Sequence, residues 1–329
     1  MTFSCRDRGE SVLLGRWRGV LPTLLGLVLV AGCASVSPET PAPVSMRPSI
    51  AALRGAIERD VAGFDGVVGV YVRDLTTGDE VAIRADETFP TASLVKVPIL
   101  LKLLQRVDAK EVSWTEPLVY TKARLYPGED LLARFEDKQK VALHELIALM
   151  ESLSDNTASL WCQEIAGGGG AINAWLAEKG FSTTRVNSRT PGREKDREAW
   201  GWGQTTPREM AELLALVRAR KAVSAGADAY AERVLSRSWW TDEALSSLPP
   251  HVHAMSKQGA VNASRSEVVL VDAPTGAFVL CVITKKQKDQ SWEPGNAGFR
   301  LLRAVTASCW AHFAPYDPHL PALDGPTWP

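Results

Sequence analysis

The pattern of apolar and polar residues near residue 50 predicts one helix followed by a β-hairpin. Two strand-like runs, Val67 to Val72 and Val81 to Ile83, are separated by Thr76-Thr77-Gly78-Asp79, which is typical of a hairpin turn. Before them, five apolar residues recur at helical spacing: Ile50, Leu53, Ile57, Val61 and Phe64. We therefore expect a helix that leads into two paired strands.

The same pattern returns in reverse order near residue 300. Glu267 to Val271 and Ala277 to Thr284 are strand-like, and the turn sequence Ala273-Pro274-Thr275-Gly276 lies between them. A final helix carries four apolar residues on one face: Leu302, Val305, Cys309 and Phe313. Strands from both ends of the chain can therefore join one sheet, with the terminal helices beside it.

The middle of the chain is predicted to be helical. Helices are expected over residues 141–153, 155–165 and 171–179, with glycines at 167–170 ending the second. A later helix opens at Thr206, the predicted N-cap, with Pro207 next and Glu209 completing a capping box.

These patterns together predict an α+β fold. An antiparallel sheet is flanked by the terminal helices, and a helical lobe of about residues 89–247 is inserted in the sheet lobe. A cleft between two such lobes is the natural place for a functional site.

The N-terminal segment is organised like an export signal. Four arginines precede an apolar run, Val20 to Val30, which is too short to span a membrane comfortably. The run ends in Val30-Ala31-Gly32-Cys33, which resembles the lipobox of bacterial lipoproteins. The resemblance implies cleavage before Cys33, lipidation of its thiol, and a membrane-anchored lipoprotein facing the periplasm or the cell exterior. The alternative is an ordinary secretory signal with an incidental cysteine.

Composition sets the remaining boundaries and narrows the function classes. The expected segments are a signal peptide at 1–32, a Pro/Ser-rich tether at 33–47, a folded domain at 48–313 and a Pro-rich tail at 314–329. With 37 basic and 38 acidic residues, nothing suggests a nucleic-acid partner. The sequence has no glycine loop of the kind that binds phosphate groups, and we expect no cofactor. We also expect a monomer.

The cysteines fit an exported protein only loosely. Cys5 falls in the signal and Cys33 is the expected lipidation site, so Cys162, Cys281 and Cys309 remain. An odd number allows at most one disulfide, and single buried thiols are the favoured interpretation.

Ser93 and Lys96 are the first candidates for chemistry. Residues three apart share a helix face, so a lysine whose pKa is lowered by burial could take the proton of the serine hydroxyl. Pro98 indicates that the helix starts just upstream, which places Ser93 at its positive end. About one Ser-x-x-Lys is expected by chance in a chain of this length, so the pair needs partners.

Two later motifs could supply those partners. Ser154-Asp155-Asn156 stands at a predicted helix start, where it could merely cap the helix. Alternatively, Ser154 could relay a proton to a leaving nitrogen while Asn156 orients a substrate carbonyl. In Lys257-Gln258-Gly259-Ala260, the lysine could hold a substrate carboxylate, and Gly259 would let a substrate pair along the strand edge. The Ala260 and Ser93 amides could form an oxyanion hole.

The three motifs, in this order and at these separations, resemble those of class A β-lactamases and related penicillin-interacting serine enzymes. The resemblance covers nearly all of residues 48–313 and includes Thr205-Thr206-Pro207-Arg208-Glu209-Met210. It implies the two-lobed serine β-lactamase fold and catalysis by Ser93, Lys96, Ser154 and Lys257. The implied substrate is a β-lactam or a peptidoglycan-type peptide.

The chain departs from that family in the loop that carries the deacylating glutamate. The corresponding place falls near Thr190-Pro191-Gly192, and the asparagine that braces the loop is replaced by Leu160. A threonine hydroxyl cannot act as a general base near neutral pH. We therefore expect a rebuilt loop, in which Glu194 or Glu198 could reach the hydrolytic water.

The third motif departs as well. Gln258 stands where the family usually has threonine or serine, so an amide replaces a hydroxyl that binds the substrate carboxylate. Arg265, eight residues past Lys257, either compensates by binding that carboxylate or is an exposed strand residue.

Other candidates carry less chemistry. His251 and His253 alternate like zinc ligands, but no further histidine cluster accompanies them, so no metal site is expected. We expect four tryptophans to serve packing: Trp200, Trp202, Trp239 and Trp240.

Three functions remain open at this point. The first is a β-lactamase with a relocated loop base. The second is a slowly turning penicillin-acylated hydrolase that acts on peptides or esters. The third is a non-enzymatic envelope protein, against which the four intact residues Ser93, Lys96, Ser154 and Asn156 argue.

Overall fold

The computed structural model describes residues 47–128, 130–317 and 319. The predicted signal peptide, Cys33 and almost all of the tether lie outside the described residues, as does most of the tail. Within the described ranges, no helix is both long enough and apolar enough to cross a membrane.

The described helices and strands alternate irregularly along the chain. The α-helices are α1 Ile50–Val61, α2 Lys96–Asp108, α3 Leu143–Glu151, α4 Asn156–Ile165, α5 Gly168–Glu178, α6 Glu194–Trp200, α7 Pro207–Arg218, α8 Ala225–Leu235 and α9 Ala297–Phe313. The strands are β1 Val67–Asp74, β2 Glu80–Ile83, β3 Phe89–Pro90, β4 Leu118–Val119, β5 Lys140–Val141, β6 Arg185–Val186, β7 Gly203–Thr205, β8 Ala254–Val261, β9 Ser264–Ala273 and β10 Gly276–Lys285. Short 3₁₀ helices occur at Ala92–Val95, Lys122–Arg124, Leu131–Arg134 and Ala244–Ser247.

The main sheet has five strands in the order β2-β1-β10-β9-β8. All neighbours are antiparallel, and β1 pairs with β10 through Val70 opposite Val282. This confirms that strands from both ends of the chain form one antiparallel sheet. Both predicted hairpins are present, and Gly78 takes a φ of 82° in the first turn, which favours glycine. The edge strand β8 contains Lys257 to Ala260.

Successive residues of each strand point to opposite faces of the sheet, and the two faces are covered by different helices. On β9, Val269 and Val271 pack with residues of α1 and α9, whereas Val268 and Leu270 pack with helices of the region between β2 and β8. We call that region the helical lobe. The terminal helices therefore cover one face of the sheet and the helical lobe covers the other.

The three described cysteines are all free and buried. Cys281 lies in the core shared with the helical lobe, and Cys309 lies in the core under α1 and α9. Because the sheet separates these two cores, the two thiols do not pair. Single buried thiols, the favoured interpretation of the sequence, are confirmed.

Two local predictions in the helical lobe need correction. The predicted break at 167–170 is confined to Gly167, where φ is 97°, and α5 already begins at Gly168. Thr206 caps α7 as expected, since its Oγ1 accepts from the Glu209 amide at 3.0 Å. The Glu209 carboxylate does not complete a capping box. It accepts instead from backbone amides of residues 182–184, at 2.6 Å for Thr184, because that segment offers it three donors.

Candidate active site

Ser93 lies in the 3₁₀ helix that runs directly into α2. The residue before it, Ala92, has a φ of 44°, a left-handed value that a non-glycine residue adopts only when the surroundings enforce it. In a 3₁₀ turn, residues three apart are eclipsed, so Lys96 follows Ser93 on the same side. The Lys96 Nζ lies 3.0 Å from the Ser93 Oγ.

Lys96 is fully buried and surrounded by oxygen atoms. Its Nζ lies 2.6 Å from the Ser154 carbonyl, 2.9 Å from the Ser154 Oγ and 3.2 Å from the Asn156 Oδ1. Burial lowers the pKa of Lys96 to about 7, and the nearby charge of Lys257 contributes to that lowering. A large fraction of the amine is therefore neutral near pH 7, and the neutral form can accept the hydroxyl proton of Ser93.

Ser154 connects the two lysines of the site. Its Oγ lies 2.9 Å from the Lys96 Nζ and 3.2 Å from the Lys257 Nζ. The backbone of Ser154 has a φ of 61°, a second left-handed residue at this site. Its hydroxyl can therefore receive a proton from one lysine and pass its own to a reacting group.

Two aspartates hold the Ser154 turn in place. Asp155 is the N-cap of α4, accepting from the Ala158 amide at 2.7 Å, and it also accepts from the Leu132 amide at 3.0 Å. Asp130 accepts from the Asn156 amide at 3.0 Å and from the Thr157 amide at 2.7 Å. The capping role considered for this motif is thus carried by Asp155, which leaves Ser154 and Asn156 free to face Lys96. Sequence reasoning missed Asp130, because nothing in its local sequence marks a partner 26 residues away.

The edge strand β8 brings the third motif to Ser93. A Cβ added to Gly259 would lie 2.9 Å from both the Ser93 amide nitrogen and the Thr91 carbonyl oxygen. Glycine is therefore needed for β8 to approach the 3₁₀ helix so closely. The next residue on β8 is Ala260, whose amide stays the predicted second donor of the oxyanion hole.

Lys257 is buried and reaches from β8 toward Ser154. Besides the Ser154 Oγ, its Nζ donates to the Gln258 carbonyl at 3.0 Å. Burial lowers the pKa of Lys257 to about 8, while the carboxylates of Glu151, Glu243 and Glu267 oppose that shift. The side chain of Gln258 lies opposite Glu267 in the strand register, and alternation along β8 points it to the other face from Lys257.

Glu151 is a carboxyl at this site that sequence reasoning missed. It is the last residue of α3, it is buried, and within the described structure neither carboxylate oxygen has a hydrogen-bond partner. Burial raises the pKa of Glu151 to about 7, and the charges of Lys257 and Lys96 oppose that rise. Its position in an apolar helical pattern gave no signal that its charge would act on the two lysines.

Arg265 does not belong to the site, which corrects the expectation that it could bind a substrate carboxylate. Its guanidinium donates to the backbone carbonyls of Ser264 and Ser291 at 2.9 and 2.6 Å. It stacks on the rings of Trp292 and Phe299 at 4.4 and 4.7 Å. The alternation of β9 places it on the face covered by α9, where it is fully buried.

The loop formed by residues 187–202 is braced differently from the family pattern. Leu160 is buried, and the bracing amide comes from Gln163 one helical turn later on α4. The Gln163 Nε2 donates to the Ser188 carbonyl at 2.6 Å, and its Oε1 accepts from the Ser188 Oγ at 2.8 Å. The two hydrogen bonds between Gln163 and Ser188 therefore attach this loop to α4.

The loop brings no carboxylate into contact with Ser93 or Lys96 among the described hydrogen bonds and ion pairs. The Thr190 Oγ1 donates to the Ser188 carbonyl at 3.0 Å and would lie 1.7 Å from a Cβ added to Gly169, so it points at α5. Glu194 is exposed and accepts from the Gly192 amide at 3.1 Å within its own loop.

Comparisons with known proteins agree with this geometry. The family described as "Beta-lactamase enzyme family" matches residues 52–313. "Beta-lactamase AER-1" from Aeromonas hydrophila is 26% identical over 85% of this chain and 92% of its own length. "Beta-lactamase regulatory protein BlaB" from Streptomyces cacaoi is 41% identical, but over 31% of this chain and 33% of its own length. The matched segment thus covers about a third of the length of this relative.

Solved structures show the same fold. "Structure of PBP-A" superposes with a TM-score of 0.71 at 24% identity, covering 80% of this chain and 96% of that one. A β-lactamase from Sphaerobacter thermophilus superposes with a TM-score of 0.72 at 21% identity, covering 83% and 100%. The family model matches most of this chain, and Ser93, Lys96 and Ser154 are in hydrogen-bond contact. The chain therefore belongs to the beta-lactamase enzyme family and is a serine hydrolase of the class A type.

Proposed function

We propose that the protein forms an acyl-enzyme through Ser93 with β-lactams or related amides. The observation that carries this proposal is the 3.0 Å contact between the Ser93 Oγ and the buried Lys96 Nζ, whose pKa is lowered to about 7. Neutral Lys96 takes the hydroxyl proton while the Ser93 oxygen attacks the carbonyl carbon. The amides of Ser93 and Ala260 stabilise the resulting oxyanion.

Collapse of the tetrahedral intermediate breaks the bond between the carbonyl carbon and the leaving nitrogen. Ser154 donates its proton to that nitrogen, and the protonated lysine 2.9 Å away replaces the proton on Ser154. Asn156 orients the substrate through its side-chain amide, and Lys257 attracts the substrate carboxylate. For each proton that leaves Ser93, one proton is delivered to the leaving nitrogen, and Lys96 and Ser154 return to their starting protonation states.

Deacylation is the slow step in this proposal. Hydrolysis of the acyl-enzyme ester needs a general base that takes a proton from the attacking water. The Thr190 hydroxyl points toward α5 and donates to the Ser188 carbonyl, and the Glu194 carboxylate accepts from the Gly192 amide in its own loop. A mutant of PBP-A, a neighbour of the same fold, is described as an acyl-enzyme complex with penicillin G. Among the described hydrogen bonds and ion pairs, no carboxylate of the loop reaches Ser93 or Lys96, which also favours a second candidate, a penicillin-binding hydrolase whose own substrate is a peptidoglycan-type peptide or an ester.

Time-resolved mass spectrometry of the full chain with penicillin G tests the proposal. We expect a penicilloyl adduct on Ser93 that persists for many minutes, with slow release of hydrolysed drug. The Ser93→Ala variant should form no adduct. Absence of an adduct on the parent protein would refute β-lactam acylation, and rapid release with fast turnover would refute slow deacylation.

We also propose that the protein is exported and anchored through lipidated Cys33, facing the periplasm or the cell exterior, and that it acts as a monomer. The apolar run and the small residues before Cys33 support the anchor, although they lie outside the described residues. Fractionation of cells that express the parent protein and Cys33→Ala tests it. The parent should sediment with membranes and the variant should not; equal distribution would argue for an ordinary secretory signal. Sedimentation velocity tests the monomer.

A further inference from the structure

Two neighbouring tryptophans near Ser154 are exposed, although the sequence pattern predicts that they pack. Trp239 is 72% exposed and Trp240 is 42% exposed, in the segment between α8 and the 3₁₀ helix Ala244–Ser247. Burial of a large aromatic ring is strongly favourable, so two adjacent exposed rings are an unusual feature for a surface without a ligand. Their place in the fold decides what they could bind.

Hydrogen bonds fix both tryptophans to the residues just before Ser154. The Trp239 amide donates to the Ser152 carbonyl at 3.0 Å, and the Trp240 indole Nε1 donates to the Leu153 carbonyl at 3.1 Å. The Ser238 Oγ accepts from the Trp240 amide at 3.1 Å. The Trp239 backbone and the Trp240 ring are therefore anchored to the two residues that precede Ser154, whose hydroxyl, in the proposed function, protonates the leaving nitrogen.

The charged side chains around Ser154 and Lys257 are lysines and glutamates. Arg265 faces α9, so the described hydrogen bonds and ion pairs of Lys96, Ser154 and Lys257 include no arginine. The carboxyls near Lys257 are those of Glu151, Glu243 and Glu267. The Ser154 hydroxyl thus lies between two buried lysines, and two exposed tryptophans are anchored to the residues just before it.

We infer that Trp239 and Trp240 form an aromatic subsite that binds an apolar or aromatic substituent on the leaving-group side of the substrate. We call it the Trp239–Trp240 subsite. The inference rests on the proposed function, because that function places the leaving nitrogen at Ser154. The subsite determines specificity rather than the chemistry of acylation.

A matched pair of β-lactams tests the subsite. The two compounds share their acyl side and differ only in a leaving-group-side substituent, phenyl in one and methyl in the other. We expect the second-order acylation rate of the parent protein to favour the phenyl compound by about threefold to tenfold, the worth of an aromatic contact. In Trp239→Ala and Trp240→Ala, this ratio should fall toward one.

Trp292→Ala is the matched control, because Trp292 is 59% exposed but stacks on Arg265, which faces α9. It should keep the parental ratio. The inference would be overturned if both subsite variants kept the parental ratio of phenyl to methyl acylation rates, or if this ratio fell toward one only in Trp292→Ala.

A binding measurement separates failure of the subsite from failure of the proposed function. In Ser93→Ala, which cannot be acylated, the phenyl compound should shift the NMR signal of the Trp240 indole N–H, and the methyl compound should shift it less. Trp240→Phe, which lacks that N–H, assigns the signal. A shift without acylation of the parent would refute the proposed function and keep the subsite. Acylation with no indole shift would refute the subsite alone.

Discussion

At the scale of single residues, the site depends on two buried lysines that share one serine hydroxyl. Lys96 and Lys257 both contact the Ser154 Oγ, so each raises the cost of charging the other. Burial and mutual repulsion together favour a state in which one of the two amines is neutral. This arrangement supplies a base without the histidine that many hydrolases use.

The acylation rate should rise with pH through about 7, the value to which burial lowers the pKa of Lys96. Only the neutral amine accepts the Ser93 proton, so below that pKa the rate should fall about tenfold per pH unit. Stopped-flow acylation between about pH 5 and 9 measures this. Lys96→Arg should be inactive throughout, because arginine stays protonated in proteins. A flat profile for the parent protein would contradict Lys96 as the base.

Replacing Glu151 with glutamine should move that pH profile to lower pH. The Glu151 carboxylate raises the pKa of Lys96, so its removal lowers the pH at which the amine becomes neutral. We expect the midpoint of the acylation profile to fall, whereas a merely structural role would change the rate without moving the midpoint. Glu178→Gln, an exposed position on α5, is the control. A midpoint that rises or stays fixed would refute this role for Glu151.

At the scale of elements, the site forms where an edge strand, a 3₁₀ helix and the start of α4 meet. The two terminal hairpins, the terminal helices and the helices α3, α4, α5 and α7 followed from apolar periodicity and turn residues, because those signals are local. The partners of Glu209, Gln163 and Asp130 did not follow, because they lie 25 to 27 residues away and no local pattern marks them. Arg265 was misplaced since the sequence does not say which face of β9 it takes.

Gly259→Ala should impair acylation more than it destabilises the fold. The added Cβ would lie 2.9 Å from the Ser93 amide nitrogen, so β8 and the 3₁₀ helix must move apart. A displacement of about 1 Å can cost about 100-fold in rate, and we expect a loss of about 10- to 100-fold in the acylation rate.

Gly226→Ala on α8 is the matched control, because a Cβ there meets nothing within 4 Å. It should leave acylation unchanged and raise stability by up to about 1 kcal/mol. Parental acylation by Gly259→Ala would show that the close approach of β8 is not needed.

At the scale of the whole molecule, the helical lobe and the sheet share one core. Tyr71, Leu270 and Cys281 from the sheet lie in the same apolar cluster as Leu100 and Leu213 from the helices. The chain also enters and leaves the helical lobe through the sheet, at β2 and β8. Neither part can therefore expose its apolar surface without uncovering that of the other.

Unfolding in urea should therefore be a single cooperative transition across the described region. Cys162 reports on the helical lobe, Cys281 on the shared core, and Cys309 on the core under α9, and all three thiols are buried. Pulse labelling with a thiol reagent, read by peptide mass spectrometry at each urea concentration, should give one midpoint for all three. Labelling of Cys162 at lower urea than Cys281 would mean that the helical lobe opens alone. Since Ser93, Lys96 and Ser154 belong to that lobe and Lys257 to the sheet, such opening would also separate the two lysines and abolish acylation before global unfolding.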